Sequence, residues 1–226
     1  AAGERWGVAS GLIQLGYLAS ALSDYARARA LFEESRALWG AHEGAAGWIA
    51  ALLPLGWVAW IQGAFDEVVA IFGEVRALAE ARGDKKAADW ALNRLGWAAW
   101  ARGDLEQATA LFEQNWATAI ELGSRTRVAW AMSGLAHVAL SQGDHMWAAE
   151  LFSQSLATFR AAGYKVDINW ALNNLARARA MQGDAAAARV LFAESLALSE
   201  AQADQWNIAA ALEGLAITPG GNAYTT

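Results

Sequence analysis

The sequence repeats every 40 residues without an insertion, and this periodicity limits the possible folds more than any other feature. One column of the repeat holds Leu in every copy: Leu15, Leu55, Leu95, Leu135, Leu175 and Leu215. A Leu-Phe or Ile-Phe pair also recurs, beginning at positions 31, 71, 111, 151 and 191. A period of roughly 20 to 50 residues is typical of arrays in which each repeat packs on its neighbours. We therefore expect a repeat fold without a single central core.

Each repeat predicts two helices and no strand. Apolar residues recur at helical spacing over 6–22 and its copies, a short turn follows, and a second helical segment ends near Gly83, Gly123 or Gly163. An Asp or Ser stands where an N-cap belongs at Asp24, Asp84, Asp104, Ser124, Asp144, Asp184 and Asp204. Asp104 and Gln107 have the spacing of a capping box. The prediction is an all-α solenoid of antiparallel helix pairs.

The array is expected to be one domain over residues 1–217, with five repeats and a final helix. The predicted repeats span 5–44, 45–84, 85–124, 125–164 and 165–204, and the last helix spans 205–217. Residues 218–226 are predicted to be a flexible tail, because Pro219 ends the helix. The absence of an initiating Met favours a fragment of a longer protein.

These columns resemble the tetratricopeptide repeat, whose first helix carries Leu-Gly and then a small residue, and whose second carries Ala and then Phe. The matching segments are LGYLA at 15–19 with Ala28 and Phe32, and LGWAA at 95–99 with Ala108 and Phe112. The unit is longer than the usual roughly 34 residues, and it lacks the terminal Pro of the family. Longer units of this type resemble sensor arrays of bacterial signal-transduction ATPases and transcriptional activators. The resemblance implies a right-handed superhelix; HEAT-type repeats are the alternative architecture.

Comparing the copies separates a uniform face of the first helix from a variable one. The uniform columns hold Leu, Ala and Gly, and they fall on one arc that predicts the packing face. A second arc holds the columns that begin at positions 6, 10, 13, 17, 20 and 21, and the last five correspond to the concave groove of the resembled family. Their residue type changes from copy to copy. We therefore expect the second arc to bind a ligand.

Tryptophan is concentrated on that second arc. The chain has thirteen Trp, and seven of them lie in the five groove columns, which hold about an eighth of the residues. The predicted ligand-binding residues are Trp6, Tyr17, Trp57, Trp60, Trp90, Asn93, Trp97, Trp100, Trp130, His137, Trp170, Asn173, Arg177 and Trp206. The alternative is that edge-on packing against the second helices buries part of this stripe. Trp48 lies in a framework column, and Trp39, Trp116 and Trp147 lie on second helices.

Composition and spacing exclude several other functions. A net charge of −6 with three Lys argues against nucleic-acid binding, and the apolar run at 48–61 is too short to span a membrane. The chain has no Cys, and no two of its three His have metal-ligand spacing. Ser133 and His137 form a dyad by spacing alone, and no acid is placed to orient it. We therefore predict no enzyme activity, no cofactor and no metal.

The sequence thus predicts a non-enzymatic, cytoplasmic recognition module that binds a protein or peptide in a Trp-rich groove. A constant frame with a varied groove is typical of a sensor in a larger signalling or immunity-type bacterial protein, or of a laboratory-diversified binder. Two alternatives remain open at this point. One is a sensor for a sugar or aromatic metabolite, and the other is self-association through the apolar groove.

Overall fold

A computed structural model of the chain describes residues 2–40 and 45–218. Within these ranges the chain forms eleven α-helices and no strand, which confirms the all-α prediction. The helices are α1 (Ala2–Ala21), α2 (Tyr25–Trp39), α3 (Ala45–Ile61), α4 (Phe65–Ala81), α5 (Lys85–Ala101), α6 (Leu105–Glu121), α7 (Arg125–Gln142), α8 (His145–Ala162), α9 (Lys165–Met181), α10 (Ala185–Gln202) and α11 (Gln205–Ile217). The predicted tail from Pro219 onwards and the turn residue His42 lie outside the described residues.

The helices belong to two compact units, residues 1–111 and 112–226, and the boundary falls within α6. In the N-terminal unit, consecutive helices from α1 to α5 pack against one another, and α1 also contacts α3. In the C-terminal unit, α7 to α11 pack in the same way, and α9 also contacts α11. Each unit is therefore a stack of helix pairs. The prediction of one continuous domain with the stated repeat boundaries stays a prediction.

Side-chain caps begin most of the helices, as the Asp and Ser pattern predicts. Each of the seven predicted caps accepts a backbone N–H two or three residues later; Asp144, for example, accepts from Trp147 N at 2.9 Å. Such a cap typically stabilises a helix by about 1 kcal/mol relative to Ala. At the corresponding position before α4 and α9 stand Ala64 and Tyr164, which make no capping bond. The capping column thus positions the helices and is not a carboxylate array.

A fully buried Phe on each second helix forms the centre of the packing: Phe32, Phe72, Phe112, Phe152 and Phe192. Glycine on the facing first helix makes room for these rings. At Gly56, a Cβ atom would lie 2.5 Å from the ring of Phe72, which is closer than any real contact. Gly134 of α7 lies in a different column and faces the preceding second helix, where a Cβ atom would lie 2.3 Å from the ring of Phe112. We call the column of Gly16, Gly56, Gly96, Ala136, Ala176 and Ala216 the small-residue column, and at Gly56 it lets α3 approach α4 closely.

Candidate ligand-binding surface

Two aromatic side chains of the N-terminal unit are exposed at equivalent positions of α1 and α3. Tyr17 is 49% exposed and Trp57 is 48% exposed. The ring of Trp57 contacts Tyr25 edge-on, with 6.2 Å between ring centroids, and Tyr17 contacts the buried Phe32 edge-on at 5.6 Å. These contacts hold the rings in place and leave about half of each surface accessible. Both predicted residues are therefore accessible at the surface, and their role in ligand binding stays a prediction.

Three further tryptophans of this unit are half-buried on the same helix columns or one turn later. Trp97 and Trp100 of α5 form a T-shaped pair, with centroids 5.7 Å apart and planes at 85°. Trp60 of α3 packs edge-on against Phe65 at the start of α4, at 5.3 Å. Residues three positions apart on a helix share a face. We call Tyr17, Trp57, Trp60, Trp97 and Trp100 the N-terminal aromatic surface.

The other two predicted tryptophans of the N-terminal unit pack mainly against second helices. Trp90 meets the buried Phe72 edge-on at 5.1 Å, and Trp6 stacks on Trp39 at 5.8 Å with 21° between planes. Both rings are half-buried. For these positions the alternative interpretation, edge-on or stacked packing against the second helix, describes the geometry better than an open groove.

The two predicted asparagines are not accessible to a ligand. Asn93 and Asn173 are each only 5% exposed. The Asn173 Nδ2 donates to the Asn207 Oδ1 at 3.1 Å, which joins α9 to the next first helix, α11. Ser133 in the same column is also buried. The column beginning at position 13 therefore packs between helices, and its placement on the ligand-binding arc is corrected.

In the C-terminal unit, Trp130 is tied to an acidic side chain. Its Nε1 donates to the Asp167 Oδ1 at 3.2 Å, and its ring meets Tyr164 edge-on at 6.4 Å. Burial raises the pKa of Asp167, and the bond from Trp130 opposes that rise. The indole is half-buried, and its single N–H is already hydrogen-bonded to Asp167. Trp130 is thus less available to a ligand than Trp57.

His137 belongs to an aromatic cluster and does not form a catalytic dyad with Ser133. Its imidazole is 5.1 Å from the ring of Trp170 and 5.2 Å from that of Phe152, measured between centroids. Burial, assisted by the charge of Arg177, lowers the pKa of His137 to about 3. The Ser133 hydroxyl donates to the Ala129 carbonyl at 2.9 Å. The dyad suggested by spacing is therefore not assembled.

Two predicted residues of the C-terminal unit are exposed, namely Arg177 on α9 and Trp206 on α11. Trp206 is the more exposed of the two, at 85%.

The tryptophans that the sequence places outside the groove columns pack differently. The Trp48 Nε1 donates to the Glu74 Oε1 at 2.6 Å. Trp147 on the second helix α8 is 47% exposed, which agrees with its predicted position on an outer surface or packing face.

Arg94 of α5 is an enclosed charge that the column pattern does not predict. Its guanidinium lies 5.5 Å from the centroid of the Trp90 ring, and its Nη2 donates to the Asn93 Oδ1 at 2.6 Å. Burial lowers its pKa to about 10, and its Nε is enclosed without a hydrogen-bond partner. One signal was available in the sequence. The same column otherwise holds only the uncharged residues Gln14, Pro54, Gly134, Asn174 and Gly214.

In the part of the chain that the structure describes, no three His, Asp or Glu side chains are grouped to hold a metal ion. No helix among these residues combines the length and apolar character needed to cross a bilayer.

Comparison with known proteins identifies the repeat. Profiles described as tetratricopeptide repeat match residues 90–122 and 127–201. The sequence matches no curated protein. A kinesin light chain-type protein of Podosopora anserina with nearly identical TPR-like repeats is 19% identical, with a TM-score of 0.63 over 87% of this chain and 96% of that one. A thermophilic TPR protein of Thermus thermophilus is also 19% identical, with a TM-score of 0.67 over 92% and 100%.

A third structure resembles the chain over only part of its own length. It is a signal-transduction ATPase with numerous domains from Pyrococcus horikoshii that carries a tetratricopeptide repeat sensor. The TM-score is 0.70 at 11% identity, and the alignment covers 94% of this chain but 37% of that protein. At these identities the likeness shows the fold. Together with the helix pairs, the matching profiles identify tetratricopeptide repeats at residues 90–122 and 127–201, and the described residues have the fold of tetratricopeptide-repeat proteins.

Proposed function

We propose that the chain is a non-enzymatic recognition module that binds a protein or peptide through the N-terminal aromatic surface. Tetratricopeptide repeats in general are protein-interaction modules and non-catalytic scaffolds. The observation that carries the proposal is the half-exposed pair Tyr17 and Trp57, held by edge-on contacts at equivalent positions of packed helices. Trp and Tyr are enriched among the residues that dominate binding energy at protein interfaces.

The packing of these rings favours binding over simple burial. A ring already held by a neighbour loses little freedom when a ligand covers it, so less of the contact energy is spent on ordering. Each well-placed aromatic contributes about 2 kcal/mol to such interfaces. The half-buried Trp97 and Trp100 add a T-shaped aromatic pair in the same helix columns. An apolar or aromatic side chain of a peptide is the complement of such a surface.

The broader role that we propose is a sensor in a larger signalling or immunity-type bacterial protein. The structural likeness to a signal-transduction ATPase with a tetratricopeptide repeat sensor supports this role. The exposed Arg177 and Trp206 would give the C-terminal unit a second, more polar contact region. The variable ligand columns on a constant frame support diversified recognition. The cytoplasmic location stays a prediction.

Panning a phage-displayed random peptide library against the protein tests the proposal. The affinity of the enriched peptides is measured for wild type, for Trp57→Ala/Trp60→Ala and for Trp147→Ala. We expect the double variant to lose at least tenfold in affinity, because each anchor contributes about 2 kcal/mol. Trp147→Ala is the matched control, since that ring is 47% exposed but lies on a second helix. Circular dichroism checks that helicity is unchanged.

Equal binding by the double variant and wild type would contradict the proposal. If no peptide is enriched but Trp fluorescence responds to sugars or aromatic metabolites, the small-molecule alternative takes its place. If instead the double variant abolishes a concentration-dependent dimer seen by light scattering, the surface serves self-association. The three outcomes are distinguishable with the same purified proteins.

A further inference from the structure

We propose that the outer face of α11 docks an amphipathic helix of a partner, whose sequence has the pattern of this chain's own second helices. The residues of this face, which we call the α11 end face, are Trp206, Ile208, Ala209, Leu212, Leu215 and Ala216. The site is separate from the N-terminal aromatic surface, so the inference goes beyond the proposed function. It begins from the burial of α11 compared with the other first helices.

One side of α11 is firmly packed on α10. Gly214 and Thr218 are buried, and a Cβ atom at Gly214 would lie 2.3 Å from the ring of Phe192 on α10. Arg189, also on α10, donates from its Nη1 to the carbonyl oxygens of Leu215 and Thr218, at 3.2 Å each. The opposite side of the helix carries the α11 end face, and four of its six residues are exposed.

The same columns of α9 are buried beneath α10, the second helix that follows. Leu172 and Ala176 are 0% exposed, and Ala176 belongs to a core cluster with Phe192 of α10. One repeat later, Leu212 is 50% exposed and Ala216 is exposed as well. Among the described residues, no second helix follows α11. The α11 end face thus continues the interface between α9 and α10, and a helix packed in the manner of α10 would cover it.

Trp206 is an independent indication of the same partner. Its side chain is 85% exposed. The equivalent residue of the first repeat, Trp6, is half-buried and stacks on Trp39 at 5.8 Å, with 21° between the ring planes. Trp39 lies on α2, the second helix of that repeat. A partner helix in the corresponding position would bring an aromatic side chain onto Trp206.

The second helices of the chain define the sequence that the partner needs. In α2, Ala28, Phe32 and Trp39 stand at positions i, i+4 and i+11, which lie on one face of a helix. Ala28 and Phe32 are fully buried, and the corresponding Ala188 and Phe192 of α10 are buried in the cluster beneath that helix. The partner should therefore be an amphipathic helix with Ala, Phe and an aromatic residue at this spacing. Such a helix binds by laying its apolar face on the docking surface.

The sequence after α11 leaves the repeat pattern, which is why we assign the helix to a partner. Gly and Asp stand at 143–144 and 183–184, before α8 and α10, but Ala223 and Tyr224 occupy the corresponding positions after α11. Pro219 also disfavours a helix there. Terminal repeats of soluble arrays commonly have a polar outer face, whereas the central columns of the α11 end face are all apolar. An apolar face of this kind is typical of an interaction surface.

A synthetic peptide with the sequence of residues 24–39, which contains α2, tests the inference. It is amidated at its C-terminus and carries fluorescein at its N-terminus, and its binding to the 226-residue chain is measured by fluorescence anisotropy. We expect a Kd of about 10–100 µM, because an isolated helix of this length must be ordered on binding. The peptide with Phe32→Ala should bind at least tenfold more weakly, because it lacks the central apolar anchor.

Two leucines of equal exposure supply the matched protein variants. Leu212→Gln changes the α11 end face, and Leu15→Gln changes α1, where the side chain is 51% exposed against 50% for Leu212. We expect at least tenfold weaker binding for Leu212→Gln and unchanged binding for Leu15→Gln, since only the first removes apolar contact from the docking surface. Circular dichroism checks the helicity of both variants. Hydrogen exchange of wild type should show that the peptide increases protection within 205–217.

Several outcomes would overturn the inference. One is equal binding by wild type and Leu212→Gln, and another is no binding at about 1 mM peptide. Loss of binding in Leu15→Gln would place the peptide on α1, and loss in Trp57→Ala/Trp60→Ala would place it on the N-terminal aromatic surface. If light scattering shows a concentration-dependent dimer of wild type that Leu212→Gln removes, a second copy of the chain covers the α11 end face and the assignment to a partner helix is wrong.

Discussion

The imidazole of His137 is enclosed by the rings of Phe152 and Trp170, and it is therefore a sensitive residue for acid stability. Burial and the charge of Arg177 lower its pKa to about 3, whereas an unfolded His titrates near 6.5. Between these values the unfolded state binds a proton that the folded state does not. The free energy of unfolding therefore falls as the pH drops from 6.5 towards 3.

Replacing His137 with Phe tests this linkage, because Phe keeps an aromatic ring and cannot titrate. Urea unfolding at pH 7.5, 6.5 and 5.0 should show that wild type loses about 1–2 kcal/mol more than His137→Phe between pH 6.5 and 5.0. Above pH 7 the two proteins should show the same dependence on pH. Parallel curves down to pH 5.0 would mean that His137 is protonated in the folded state as easily as in the unfolded one.

At the scale of the helix pair, the approach of α3 to α4 depends on Gly56. A Cβ at this position would lie 2.5 Å from two atoms of the Phe72 ring, whereas a Cβ at Gly73 of α4 would meet nothing within 4 Å. Gly56→Ala should destabilise the protein by about 1–3 kcal/mol, because the buried ring must move. Gly73→Ala should stabilise it by about 0.5–1 kcal/mol through helix propensity.

Chemical denaturation of the two variants measures the change in the free energy of unfolding. Because both are Gly-to-Ala substitutions within neighbouring helices, the higher helix propensity of Ala affects them equally. The opposite signs are the critical result. Stabilisation by Gly56→Ala would show that Phe72 has room to shift and that the small-residue column is not needed for close packing.

Helix pairs and caps could be predicted because they depend on neighbours within one or two turns of the chain. Asp24 and Asp144 cap their helices as expected, and the all-α class follows from the repeat alone. The exposure of the site could be predicted only in part. Tyr17, Trp57, Arg177 and Trp206 are open, but Asn93 and Asn173 are buried between helices.

These errors have a common physical cause. A helical column specifies the direction of a side chain, but the neighbouring helix decides whether that direction faces solvent. Asn173 is buried because its amide bonds to Asn207 on α11, and such a pairing between helices is not a local pattern. The enclosure of Arg94 was not predicted either, because a single charge in an otherwise uncharged column does not disturb the periodicity.

The position of a helix along the chain determines how far its Leu side chains are buried, and therefore how much they contribute to the free energy of unfolding. Leu55 of α3 is 2% exposed, whereas Leu15 in the same column of α1 is 51% exposed, and the same contrast separates Leu172 at 0% from Leu212 at 50%. In repeat arrays, stability is approximately a sum over repeats and their neighbour interfaces. Helices α1 and α11 should therefore be the least stable of the described helices in this chain.

Two measurements on the 226-residue chain check this expectation. Hydrogen exchange should show peptides from 2–21 and 205–217 losing protection before peptides from 45–61 and 165–181, because local opening follows the amount of buried apolar contact. Leu15→Ala should cost about 1 kcal/mol or less, and Leu55→Ala about 2–5 kcal/mol, because only the buried side chain leaves a cavity. Equal costs for the two substitutions would mean that another surface covers α1 in solution, and size-exclusion chromatography with light scattering would then identify a second copy of the chain as that surface.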